Sequence, residues 1–259
     1  MSENVIEIRD LSKYYPGTTA LDGVSFDIKR NTVHCIVGEN GAGKSTFVGI
    51  LSGAIKRSKG KIIYNNTDYN PQNIRDAINS GMSFLFQELN VVETLTVEQN
   101  LTLGIEKKKY GFIRRSKEAD KSFEVLRSFA PDIQLGKRVS ELSVAQKQII
   151  EIVKAITLDA SVIVMDEPTA ALCEEEAKRL FRVINDLTKQ NVTVIYISHR
   201  LNEIFECGQY VTVLRDGKCV GTKRIVDIAS PSELIKMMTG KAVEEGYIPS
   251  EIDYNKKVF

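Results

Sequence analysis

The segment that most restricts this chain is Gly38-Glu39-Asn40-Gly41-Ala42-Gly43-Lys44-Ser45, followed by Thr46. It has the form G-x-x-x-x-G-K-[ST], and it joins the apolar run Val33, Cys35, Ile36, Val37 to a helical stretch over residues 44–51. Glycines let successive backbone N–H groups turn inward around an anion, and a helix start adds partial positive charge. Strand, glycine loop and helix in that order predict a phosphate cradle. Lys44 is then placed to reach the β and γ phosphates of a nucleotide, and Ser45 to ligate magnesium. Without the strand before it and the helix after it, the same loop is only a glycine-rich turn.

Strand-like alternation precedes the loop at residues 5–8 and 24–28, and strands at 61–64 and 82–86 come after it, with a short helix near 73–79 between them. From about residue 96 to 158 the spacing gives three helical stretches, 97–103, 116–129 and 144–157, and no convincing strand. Alternation then resumes with a strand at 162–165, a helix at 174–189, a strand at 192–197 and a short helix from Leu201. That rhythm predicts a parallel sheet with crossover helices. Residues 210–215 and 218–222 around Asp216-Gly217 predict a hairpin, and 231–238 a closing helix. The expected fold is α/β: a phosphate-loop core with a mostly parallel sheet, an N-terminal antiparallel β subdomain, and a helical subdomain inserted at about 90–158. It spans residues 1–240, and 241–259 read as a linker or tail.

Charge adds little. The chain carries 35 Lys plus Arg against 34 Asp plus Glu, so no global field points to nucleic acid or an anionic membrane. Its one local basic cluster, Lys107, Lys108, Lys109, Arg114 and Arg115, reads as a solvated loop. Aliphatic runs such as 162–165 are far shorter than the roughly 20 residues that span a bilayer, and residues 1–10 lack the pattern of a signal peptide. A cytoplasmic location is the expectation. Cys35, Cys173, Cys207 and Cys219 are widely spaced with no C-x-x-C pair, which fits a reducing compartment.

The apolar strand Val162-Ile163-Val164-Met165 ends in Asp166-Glu167, delivering two carboxylates to the carboxyl edge of the sheet, where the phosphates would lie. Asp166 can hold magnesium through water, and Glu167, facing the other way, can polarise an attacking water. Ser143 is placed to cap the helix that starts at Val144. His34, inside the strand before the loop, reads as a core or supporting histidine.

Taken together these residues resemble the nucleotide-binding subunit of an ABC transporter over roughly residues 4–240. Leu142-Ser143-Val144-Ala145-Gln146 resembles the family's L-S-G-G-Q signature. The resemblance implies that Ser143 and the helix-start N–H groups, Ala145 included, close over the γ-phosphate bound by another cassette. It implies that Gln87 contacts magnesium or the water and relays nucleotide state to membrane subunits, that His199 is the switch histidine at the γ-phosphate, and that Tyr15 stacks on adenine, with Tyr14 as its competitor. Pro168-Thr169-Ala170-Ala171-Leu172 and the stretches 197–205 and 211–217 are similar to the ATPases of ribose, galactose and xylose importers. Membership of that group implies an ATPase that binds Mg-ATP and energises monosaccharide import. Its implied partners are transmembrane permease subunits, a second cassette (tandem or homodimeric) and, indirectly, a periplasmic sugar-binding protein. It would be peripheral at the cytoplasmic face of the membrane and without nucleic acid. Importers of this group usually carry two cassettes in one polypeptide, so this chain resembles the first of them. Two residues depart from the pattern: Ala145 replaces the second signature glycine, and Cys173 replaces an Asp or Thr that would cap the next helix. A soluble ABC ATPase of translation or repair, and a regulatory cassette that binds ATP but barely hydrolyses it, share the main motifs.

Overall fold

The computed structural model describes residues 3–86, 90–103, 107–109, 112–114, 117–157 and 160–240. Two twelve-residue strands open the chain, β1 (Asn4–Tyr15) and β2 (Thr18–Lys29). After β3 (Val33–Val37) and helix α1 (Lys44–Leu51) come β4 (Lys59–Tyr64) and β5 (Thr67–Asp68). Strands β1, β2, β4 and β5 form an antiparallel sheet in the order β2-β1-β4-β5. Its inward residues, among them Ile6, Ile8, Leu21, Val24 and Ile62, are buried against Phe47 and Val48 of α1.

Next in the chain are α2 (Ile74–Asn79), β6 (Met82–Leu85) and α3 (Val97–Thr102), the last opened by a Thr96/Gln99 capping box. Where the sequence predicts no strand, the structure has a short hairpin, β7 (Lys107–Lys109) with β8 (Phe112–Arg114). Three-residue strands are too short to show alternation, which is why periodicity misses them. Helices α4 (Lys117–Phe129) and α5 (Val144–Thr157) pack on each other and on α3 around Leu101, Phe123, Leu126, Ile149 and Val153.

Strand and helix then alternate: β9 (Val162–Asp166), α6 (Glu174–Lys189), β10 (Thr193–Ile197), α7 (Leu201–Cys207), β11 (Tyr210–Arg215), β12 (Lys218–Arg224) and α8 (Pro231–Thr239). The β11–β12 turn is Asp216-Gly217 with φ of 50° and 75°, the backbone a two-residue hairpin requires. The central sheet runs β12-β11-β3-β10-β9-β6, parallel from β11 to β6 with β12 as an antiparallel edge. Its faces follow the period of two. On β9, Val162 and Val164 point to the α1 side, while Ile163 and Met165 join the core shared with the helices α4, α5 and α6. Both faces are covered, as a parallel sheet demands. Among the described residues no helix is long and apolar enough to cross a membrane. The expectation for 241–259 lies outside the described residues.

Candidate active site

The glycine loop leaves β3 and is shaped by close approaches. A Cβ on Gly38 would stand 2.3 Å from the Leu214 carbonyl oxygen, and one on Gly43, at φ 104°, would stand 2.7 Å from the Ala20 carbonyl oxygen. No side chain fits at either position without moving backbone. Gly43 caps α1 with no side-chain acceptor, so the first N–H groups of the helix keep their donor capacity. Lys44 is buried, and its Nζ donates to the carbonyls of Gly38 at 2.7 Å and Glu39 at 3.0 Å. Burial lowers the Lys44 pKa, while Glu167 and Asp166 oppose that shift. Ser45 is exposed and Thr46 half-buried.

Strand register sets the rest of the site. Ile197 of β10 pairs with Ile36 of β3 on one side and Asp166 of β9 on the other. Three loops therefore start on one line at the carboxyl edge of the sheet. Strand alternation puts Asp166 on the α1 face with Val164, within electrostatic reach of Lys44. Burial, then the neighbouring Glu167, push its carboxyl up to about 6, with Lys44 pulling the other way.

Glu167 does not continue the strand, so strand alternation does not set its direction. Its backbone is left-handed, φ 50°, and its N–H donates to the Ile197 carbonyl at 2.9 Å. This turn aims the carboxylate across the sheet edge, where Oε1 lies 2.9 Å from Nδ1 of His199. The His199 side chain is 55% exposed and that of Glu167 20%.

The other described residues named from the sequence stand on separate elements. Ser143 caps α5: its Oγ accepts the Gln146 N–H and its own N–H donates to Gln146 Oε1, both at 3.2 Å. Among the described residues no hydrogen bond or ion pair joins Ser143 or Ala145 to Lys44, Asp166, Glu167 or His199. Tyr15 stands at the tip of the β1–β2 hairpin, 41% exposed, with the Lys13 ammonium 4.7 Å from its ring centre. Tyr14 is equally exposed, beside Lys59. Gln87 lies outside the described residues. At Cys173, the N–H that an Asp or Thr side chain would leave for a partner is taken by Glu176 Oε2 at 2.9 Å. His34 is fully buried, stacked between Phe26 and Tyr210, with Nε2 bonded to Thr212 Oγ1.

Two connecting residues carry no signal in the sequence. Gln148 of α5 is buried and accepts the Ala171 N–H at 3.2 Å, tying the signature helix to the loop after Glu167. Glu203 of α7 is buried among hydroxyl donors from β10 and two loops. A polar residue on a short helix shows no pattern that distinguishes such a buried hub from a solvated one.

The family description "ABC transporter" matches residues 21–170. The chain is 41% identical over 94% of its length to the ribose import ATP-binding protein RbsA 1 of Rubrobacter xylanophilus, covering 48% of that protein. It is 39% identical over 96% of its length to the galactose/methyl galactoside import ATP-binding protein MglA of Clostridium perfringens, covering 49% of it. It is 38% identical over 99% of its length to the xylose import ATP-binding protein XylG of Thermoanaerobacter pseudethanolicus, covering 52% of it. Among solved structures, the ADP conformation of an ATP-binding cassette of an ABC transporter superposes with a TM-score of 0.79 at 25% identity, over 93% of this chain and 100% of that one. The fold and site define an ATP-binding cassette. The chain belongs to the ABC transporter family, and it spans about half the length of these three import proteins.

Proposed function

We propose that this chain hydrolyses ATP to energise import of a monosaccharide through an ABC permease. The observation that carries the reading is the convergence of Lys44, Asp166 and the bonded Glu167–His199 pair at one sheet edge. The relatives' names, which specify ribose, galactose and xylose import, support the cargo class.

A divalent cation fits the donor set, because Asp166 and Glu167 crowd two carboxylates against the single ammonium of Lys44. Ser45 and Asp166 would hold magnesium, with Gln87 added on the resemblance alone; bound there, the ion supplies charge neutralisation at the β and γ phosphates. The N–H groups of residues 38–46 bind phosphate oxygens, and Lys44 exchanges its two carbonyl partners for them. Tyr15 stacks on adenine. Glu167 takes the proton of the attacking water, while His199 holds the Glu167 carboxylate and faces the γ-phosphate.

Residues 1–240 form one cassette on this reading, and 241–259 lead toward a second. Ser143 and the Ala145 N–H close over the nucleotide of that partner or of a second copy. The chain then sits on permease subunits at the cytoplasmic face of the membrane, and a binding protein outside acts through the permease. Phosphate release from Mg-ATP by the purified chain, absent in Lys44→Ala, tests the chemistry. ATP-dependent uptake of labelled ribose, galactose or xylose tests the cargo. No ATP binding at millimolar nucleotide overturns the reading.

A further inference from the structure

The Glu203 carboxylate is one of the most enclosed charged groups in the molecule, 7% exposed at the residue level. An isolated buried carboxylate is costly, so its partners define its purpose. Oε2 accepts from Ser198 Oγ at 2.7 Å and from Tyr196 OH at 2.9 Å. Oε1 accepts from Thr169 Oγ1 at 2.6 Å, with Arg200 Nη1 at 3.5 Å. The first three come from buried hydroxyls, and the bonds from Thr169 and Ser198 are the shorter ones.

Their positions matter more than their number. Thr169 is two residues beyond Glu167, in a turn closed by the Ala170 N–H on the Glu167 carbonyl at 3.2 Å. Ser198 precedes His199, and its hydroxyl also accepts the Arg200 N–H at 3.0 Å, bracketing the histidine on both sides. Tyr196 fixes the same carboxylate to β10, the strand from which the His199 loop leaves. One carboxylate thus ties the loop that carries Glu167 to the loop that carries His199, and those two side chains meet at 2.9 Å.

We infer that Glu203 is a positioning residue for the Glu167–His199 pair, setting the separation of the two loops from below the site without touching the nucleotide. The inference rests on the proposed hydrolysis for its kinetic consequence and on geometry alone for its structural one. A misplacement of about 1 Å between reacting groups lowers rates by up to about a hundredfold.

The chain has two histidines, of which His34 is buried away from the site, so imidazole nitrogen NMR resolves His199 readily. Thr169→Val and Ser198→Ala each cut one tether, and Glu203→Ala cuts all of them. Expected are a changed His199 Nδ1 resonance in each variant, a fall in kcat on the order of tenfold for the single tethers and more for Glu203→Ala, and an ATP Kd within about threefold of the parent. In a Glu167→Gln background, removing a tether should cost little more, because the effect acts through that pair. If Glu203→Ala does not fold, the two single-tether variants decide. Unchanged His199 resonances together with unchanged kcat in both overturn the inference. A parent chain that releases no phosphate overturns the proposed hydrolysis instead, and the NMR comparison still decides the positioning role.

Discussion

Nδ1 of His199 lies 2.9 Å from Oε1 of Glu167, although the two residues leave different strands and sit 32 positions apart. A proton acceptor and an imidazole in contact form a unit, so the effect of altering either depends on the other. Glu167→Gln keeps the size of the side chain and an oxygen for the ring to bond, but it loses the basic carboxylate. Mg-ATP binding within about threefold of the parent is expected, with turnover lower by on the order of a hundredfold or more. Single-turnover phosphate release measures this, and undiminished turnover removes Glu167 from the role of base.

Ser143 serves as a helix cap in this chain and is proposed to meet a phosphate across a closed cassette pair. Charge separates the two duties. Ser143→Asp should preserve the cap and thermal stability while lowering turnover, because its carboxylate would face the γ-phosphate. Ser143→Ala should cost about 1 kcal/mol of stability. Thermal melts beside phosphate release distinguish them; a Ser143→Asp variant with parental turnover would confine Ser143 to capping.

Burial of His34 pushes its pKa down to about 3 from the ordinary 6.5. The folded chain refuses a proton that the unfolded chain accepts. Stability is therefore fully present above about pH 6.5 and is lost as pH falls toward 3, by roughly 5 kcal/mol over the whole window. His34→Phe, flanked by the same Phe26 and Tyr210 rings, should flatten that acid limb at a neutral-pH cost of about 1 kcal/mol for the lost Thr212 bond. Urea midpoints from pH 4 to 8 report it, and parallel curves for the two proteins would assign the acid sensitivity elsewhere.

Helix α6 opens with Glu174, Glu175 and Glu176, whose charges suit a helix N-terminus, and Glu176 already bonds the Cys173 N–H. A stronger oxygen acceptor at the cap should add to this. Cys173→Asp is expected to stabilise the chain by about 0.5–1 kcal/mol, read as a raised denaturation midpoint. Glu176→Ala should destabilise it by a similar amount.

The parts of the fold and site that are legible in the sequence are those where one strand, one loop or one helix carries the pattern alone. The Gly38–Ser45 loop, the apolar strand β9 and the Asp216-Gly217 turn are local in this sense, and the structure has them where the sequence puts them. The β7–β8 hairpin is not legible, because three residues are too few for a period. Strand alternation says nothing of Glu167, which lies one residue past the end of β9, where φ turns positive. Glu203 and Gln148 are invisible in the sequence because their partners, Thr169, Tyr196, Ser198 and Ala171, come together only when separate elements pack.

The pairing of Asp166 with Ile197, and of Ile197 with Ile36, constrains how the gene can change. Side chains of a strand alternate, so a one-codon insertion between Val162 and Asp166 would turn the carboxylate away from α1 and put an aliphatic group in its place. Substitution among branched aliphatics at Ile163 or Val164 leaves that geometry intact. Divergence at this edge is thus free in spelling but fixed in length, whereas β7 and β8 pair only with each other in a sheet of their own and lie outside that register.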